Sequence, residues 1–270
     1  MAVNVFGFGQ PEPLLLDMVQ GASAALSLRK LRKDYTGAAV RIRRSSDNAE
    51  QDIGFSGKDF NMSAFNSFVG GGTGYIVTFY DQTGNGRHFT QSSASDQMQV
   101  IATSALTTKP HISTPGGGYF CSGFTINNRT FTVFMVQRSN QANYTALLAS
   151  YTNPSLNHSF LSMVDNVWIS WGNGDGSSQG YMMAGGVTAL NNNLVAAIKG
   201  DGTSSRKTYI NGVLNNDGGS AANLNFTPQL GYGYSGFRGF WGDIIFYPTG
   251  LAQADVIQAQ QNQMTYYGIS

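Results

Sequence analysis

Aspartates carry most of the acid chemistry open to this sequence. Of its 15 acidic residues two are glutamates, Glu12 and Glu50, and none follows position 50. Asp47, Asp52 and Asp81 stand near Arg41, Arg43 and Arg44 in the sequence. That grouping admits a cation site or a catalytic acid, but arginine–carboxylate pairs pinning loops account for it more simply. The run Asp81-Gln82-Thr83-Gly84-Asn85-Gly86-Arg87-His88 suits a tight loop whose opening aspartate accepts backbone N–H groups. Asn173, Asp175 and Asp201 offer oxygen ligands in glycine-rich loops, so calcium stays open. Their spacing is not that of an EF-hand, and two or three oxygens fall short of the six to eight that calcium takes. His88, His111 and His158 lack metal-ligand spacing, and no G-x-S-x-G elbow marks a nucleophilic serine. Cys121 is the single cysteine; it excludes an intrachain disulfide and reads as a small buried apolar residue. No metal, cofactor or catalytic residue is assigned.

Aromatic side chains are the other chemical clue. Trp168, Trp171, Tyr181, Tyr232, Tyr234, Phe237 and Trp241 gather beside glycines in the second half. Sugar faces stack on such rings while neighbouring amides and hydroxyls supply hydrogen bonds, in keeping with the general anatomy of ligand sites. Trp171, Tyr181, Tyr232 and Tyr234 are therefore candidate carbohydrate-binding residues, and Trp168 and Trp241 are assigned to the core.

The elements that must position these groups are short strands. The 270 residues are 11% charged and include 34 glycines, a charge-poor, turn-rich composition against the usual quarter charged. A net charge of +1 gives no global reason to bind nucleic acid. The seven basic residues from Arg29 to Arg44 read as a solvated or ion-paired face, and no apolar run is long enough to span a bilayer. Residues 1–21 read as an extended docking arm, with Phe6, Phe8, Leu14, Leu15 and Leu16 as its assembly contacts. A helix is expected over 23–34, where Ala24, Leu28 and Leu31 recur at helical spacing. Alternation in Val40-Arg41-Ile42-Arg43 marks a half-buried strand, and a short helix is expected at 60–68. Further strands follow at 75–80, 130–137, 146–151, 158–163, 167–171, 194–199, 207–210 and 239–247. Asn211-Gly212 is a type I′ hairpin signal, and 251–267 closes the chain as a helix. Many short strands with frequent turns argue for an all-β sandwich in one domain, 22–270.

Two stretches resemble a known family: Leu28-Arg29-Lys30-Leu31 with Tyr35 to Phe55, and Thr78 to Gln91. Both resemble the start of the α-L-arabinofuranosidase B catalytic-domain family and of its relatives among bacteriophage structural and tail proteins. The run Arg43 to Phe55 resembles the phage relatives more. The resemblance is specific over about 25–92 and looser over 22–268, and it implies a concanavalin-A-like two-sheet jelly roll with a short N-terminal and a C-terminal helix. It also implies a nucleophilic glutamate in the second half and an acid/base aspartate nearer the end. Here no glutamate follows position 50, Leu230 to Gly236 holds no carboxylate, and the paired cysteines of the fungal enzymes are absent. Asp165, Asp175, Asp201, Asp217 and Asp243 remain as substitutes, four of them in turn-like contexts.

The expectation from these readings is a non-enzymatic bacteriophage virion protein, located in the virion as a decoration, collar or tail component. Its expected partners are other virion proteins, further copies of itself and host cell-surface polysaccharide, with no nucleic acid and no membrane insertion. A glycan-binding adhesin and an arabinofuranosidase-like hydrolase are the alternatives.

Overall fold

The computed structural model describes residues 13–102, 108–114, 118–128, 130–140, 145–150, 159–164, 168–171, 182–183, 194–201, 206–217, 224–231 and 239–270. Every strand pairing among them is antiparallel; most fall in two layers, which Gln99–Ile101 joins by pairing with Gly74–Phe79 and His111–Thr114. The first layer runs Val213–Asp217, Arg206–Ile210, Leu194–Asp201, Thr130–Ser139 and Gly239–Tyr247. The free side of Gly239–Tyr247 is shared by Ala24–Leu26 and His111–Thr114. The second layer begins Glu50–Ile53, Val40–Arg44, Gly74–Phe79, Phe89–Thr90, Tyr119–Phe120 and Pro228–Leu230. It continues through Thr145–Ser150, Ser159–Val164, Trp168–Trp171 and Met182–Met183. The expected sandwich is the fold.

Aromatic rings fill the space between the layers. Phe79 packs on Trp241 and Tyr119 at 4.9 and 5.1 Å between centroids, and Phe89 lies parallel to Phe246 at 6.2 Å. The Tyr119 hydroxyl donates to Ile76 O and accepts from Met98 N, so its polar end is satisfied inside the core.

Helix α1 (Leu15–Met18) and helix α3 (Gln253–Tyr267) cover the outer face of the first layer. There Leu15, Leu16, Phe134, Ala197, Tyr209, Ile245, Tyr247, Val256 and Ala259 form a second apolar cluster. Thr130–Ser139 is thus buried on both faces, and Phe131-Thr132-Val133-Phe134-Met135-Val136 reads as one continuous run without alternation. Helix α3 turns glutamines inward. Gln260 Nε2 donates to Val195 O and Tyr209 O, and Gln260 Oε1 accepts from Gly212 N. That last bond ties the helix to the Asn211-Gly212 turn, whose residues both have positive φ, as a type I′ turn requires.

Of the first two helical expectations, one holds and one changes. The helix near 60–68 is present as α2 (Met62–Val69), capped by the Asn61 side chain accepting from Ala64 N. No helix forms over 23–34. Ala24–Leu26 is a strand paired with Phe246 to Ile244, and all three side chains are buried. Core burial accounts for the apolar spacing, and among the described residues the first helix is α1, one turn long, inside the segment expected to be an extended arm.

A register shift in Gly239–Tyr247 sets the central polar contact. Met135 opposes Ile244 and Gln137 opposes Trp241, so Gly242 and Asp243 together face Val136 in a β-bulge. A side chain at Gly242 would collide with the Tyr267 ring. Asp243, with no exposure, accepts from Arg29 Nε and Nη2 at 3.0 and 2.7 Å on Oδ2. On Oδ1 it accepts from Ser27 Oγ at 2.6 Å and the Tyr267 hydroxyl at 2.7 Å. Arg29 lies over the Tyr266 ring at 4.6 Å and donates to Asn262 Oδ1. Burial works against the guanidinium charge, but Asp243 outweighs it and holds the pKa of Arg29 above its ordinary value. Burial, followed by the Asp243 charge, raises Tyr267 well above the usual tyrosine range.

Replacing Asp243 by Asn should therefore cost about 3–5 kcal/mol, the penalty for stranding one buried charge. Urea unfolding of the two proteins checks this, and a loss under about 1 kcal/mol would rule out the pair as the anchor of α3.

Candidate functional site

Asp81 ends the Gly74–Phe79 strand region inside the loop 81–88, and the structure uses all of its lone pairs. Oδ1 accepts from Ala25 N, Thr83 N and Thr83 Oγ1 at 3.0, 3.0 and 2.8 Å. Oδ2 shares the Thr83 hydroxyl, at 2.7 Å, and accepts from Arg87 N at 3.2 Å. Gln82, also fully buried, donates from Nε2 to Ser27 O and Arg29 O and accepts from Leu31 N. Loop 81–88 is thus a clamp on residues 22–31, with Asn85 Nδ2 and Arg87 Nη1 donating to Ser23 O. Asp81 has no lone pair to spare for a substrate, as the loop reading expected.

Four further acids of the first third, Asp47, Glu50, Asp52 and Asp59, are ion-paired at the surface. Arg41 bonds Glu50 and Asp52 at 2.7 and 3.2 Å, and Arg44 bonds Asp47 at 2.6 Å. The Arg44 guanidinium holds the Asp47 carboxyl well below the usual carboxylate range. Asp52 also accepts from the Tyr80 hydroxyl at 2.9 Å. Lys109 and the Tyr266 hydroxyl share Asp59 Oδ1, each at 2.8 Å. Among the described residues no group of three His, Cys, Asp or Glu side chains could hold a metal, and no helix is long and apolar enough to cross a membrane.

Sequence reasoning missed Asp243 as a structural residue. It stood among the substitute carboxylates, yet Arg29, Ser27 and Tyr267 consume it. Arg29 gave no signal of its own, because it opens the charged run Arg29-Lys30-Leu31-Arg32-Lys33. Trp241 fills the core as expected. Trp171 lies in the strand Trp168–Trp171, its side chain outside the described residues, and Tyr181, Tyr232 and Tyr234 also lie outside them. So do Asp165, Asn173 and Asp175, and the side chains of Asp201 and Asp217. Of the arm residues, Phe6 and Phe8 lie outside the described residues. Leu14 is half-buried, and Leu15 and Leu16 are buried against the chain's own outer cluster. Cys121 is buried and unpaired with another cysteine, and burial raises its thiol pKa.

The chain is thus a two-layer β-sandwich whose N-terminal segment is locked by a loop, and known proteins share its fold. The family model for the α-L-arabinofuranosidase B catalytic domain matches residues 20–117. The probable α-L-arabinofuranosidase B of Aspergillus fumigatus is 38% identical over 72 residues, 26% of this chain and 14% of that protein. The α-L-arabinofuranosidase B of Penicillium canescens is 36% identical over 66 residues, 24% of this chain and 14% of that one. The matched segment is thus about one seventh of these relatives' length. A solved arabinofuranosidase complexed with arabinofuranosyl-α-1,2-xylobiose shares the fold over 94% of this chain and 64% of its own. Its TM-score is 0.70 at 17% identity. The binding domain of Paraclostridial Mosquitocidal Protein 1 shares it over 84% of this chain and 52% of its own, with TM-score 0.52 and 11% identity.

The expectation of a non-enzymatic virion component, located in a virion, is corrected by these likenesses. The family and the curated relatives are arabinofuranosidases. The absence of a glutamate beyond Glu50 does not exclude hydrolysis, because aspartate carries the same functional group.

Among the histidines, His88 Nδ1 accepts from Asp81 N and so carries no proton there. His111 is fully buried with Nδ1 on Lys109 O, and Nε2 has no partner among the described residues. Burial lowers its pKa from the ordinary 6.5. The unfolded chain therefore takes up a proton that the folded ring resists, and stability is lost as pH falls below about 6.5. Thermal melts between about pH 7.5 and 5.5 should show this loss shrinking in His111→Gln. Equal slopes in both proteins would exclude His111 as the source.

Proposed function

We propose that this chain is a glycoside hydrolase domain directed at α-L-arabinofuranosyl groups. The observation that carries the reading is the match of residues 20–117 to the arabinofuranosidase B catalytic domain. The shared fold over 94% of the chain supports it as a scaffold.

Hydrolysis by two carboxyl groups then has to be met from this chain's own acids. Asp81 and Asp243 are saturated by their bonds, and Asp47, Asp52, Asp59 and Glu50 hold ion pairs. With Asp255 placed in the first turn of α3, the catalytic pair falls to the four other aspartates of the second half: Asp165, Asp175, Asp201 and Asp217. One would protonate the leaving oxygen, and the other would act as nucleophile or activate water. Both roles need only a carboxyl group, so the absence of a glutamate beyond Glu50 leaves the chemistry open. The two saturated aspartates serve the reaction indirectly, by fixing the N-terminal segment and the Gly239–Tyr247 strand.

The test is release of 4-nitrophenol from 4-nitrophenyl α-L-arabinofuranoside by the purified chain and by Asn variants at the four aspartates. Two of the variants should each lose about 10²-fold or more in kcat with the fold intact, the scale of a general acid or base. No release from this substrate or from arabinosylated xylan, or release unaffected by all four variants, overturns the proposal.

A further inference from the structure

A cleft opens on the described surface beside the 81–88 loop, away from Asp81 and Asp243. It has a volume of about 320 Å³ and lies between α1, the turn at Gly21, the segment 32–34 and Thr83. Its walls are fixed by the fold. Leu16 N donates to Leu31 O at 2.9 Å, Lys33 N donates to the Asp17 carboxyl at 3.0 Å, and Arg32 Nη1 donates to Thr83 O at 2.8 Å. Gly21 makes the turn with φ +88.

The polar groups facing this cleft are under-used. Asp17 accepts from a single backbone N–H, the Arg32 guanidinium spends one of its N–H groups, and Asp34 is exposed with no hydrogen bond to the described residues. The lining thus offers acceptors and donors together: two carboxylates, a guanidinium and the carboxamide of Gln20. Vicinal hydroxyl groups, each both donor and acceptor, satisfy such a lining, whereas an anion would face Asp17 and Asp34. A bare cation would face Arg32. The volume is at the small end of ligand sites, room for one or two sugar rings.

We propose that this cleft binds a neutral sugar unit of a glycan chain, separately from any catalytic carboxyl pair. Asp17 and Asp34 accept from its hydroxyl groups and Arg32 donates to them. The lining holds no aromatic platform, so a single unit binds weakly and the cleft acts by adding to contacts elsewhere on the chain. The proposal does not rest on the hydrolase reading.

The experiment is saturation-transfer and titration NMR of the full chain with arabinotriose and xylotriose, and with trigalacturonate as the charged probe. Asp34→Ala is the primary variant, because Asp34 makes no bond whose loss would unfold the protein; Arg32→Ala is the second, with melting temperature as the control for both. The expected result is binding of a neutral trisaccharide that weakens at least about tenfold in Asp34→Ala, the scale of one charged hydrogen bond. Release of 4-nitrophenol, if present in the parent, is unchanged by that variant. No binding of either neutral probe, binding equal in parent and both folded variants, or preference for trigalacturonate each overturns it. Failure here with arabinofuranoside hydrolysis intact rejects the cleft alone.

Discussion

The contact between Arg29 and Asp243 is the constraint around which the rest of this molecule is arranged. Arg29 is 4% exposed and Asp243 0%, so neither charge could stay buried without the other. Holding them together requires the bulge that turns Asp243 outward and the glycine beside it that leaves room for Tyr267. It also requires residues 24–31 to lie as strand and extended chain against Gly239–Tyr247. The clamp of Asp81 and Gln82 then supplies the backbone partners that this non-helical segment would otherwise lack. Helix α3 follows, because Tyr266, Tyr267, Asn262 and Gln263 close over the same pair.

What was legible in the sequence was local. Alternation at Val40 to Arg43, the Asn211-Gly212 turn and the aspartate opening the 81–88 loop each carry their structure within a few residues. The closing helix was legible too, although its buried face is partly glutamine and is read through its spacing more than its hydrophobicity. The segment 23–34 was not legible, because Ala24, Leu28 and Leu31 satisfy a helical spacing while their burial comes from strands far along the chain. No local rule shows that Arg29 has a partner at position 243.

The same division holds for function. The 81–88 loop identifies a scaffold, and aspartates saturated by that scaffold cannot also be reagents. Residue type alone was a poor guide in the other direction: counting glutamates suggested a chain without chemistry, while the likenesses of its first third are to arabinofuranosidases. Carboxyl groups are distinguished by what already occupies them, and that is a property of the fold.

The pairing of Ala24–Leu26 with Ile244 to Phe246 has a consequence for how the chain reaches this state. Ser23 bonds Phe246 across 223 positions, so Ala24–Leu26 has the 81–88 loop beside it early but no strand partner until residues 244–246 are made. Sheets closed by such distant pairings fold slowly. During synthesis this apolar segment must wait for its strand partner, a condition under which chains associate wrongly. The charged run Arg29-Lys30-Leu31-Arg32-Lys33 within and beside that stretch keeps it solvated while it waits. Of these residues, Arg29 alone gives up that role when the last strand arrives.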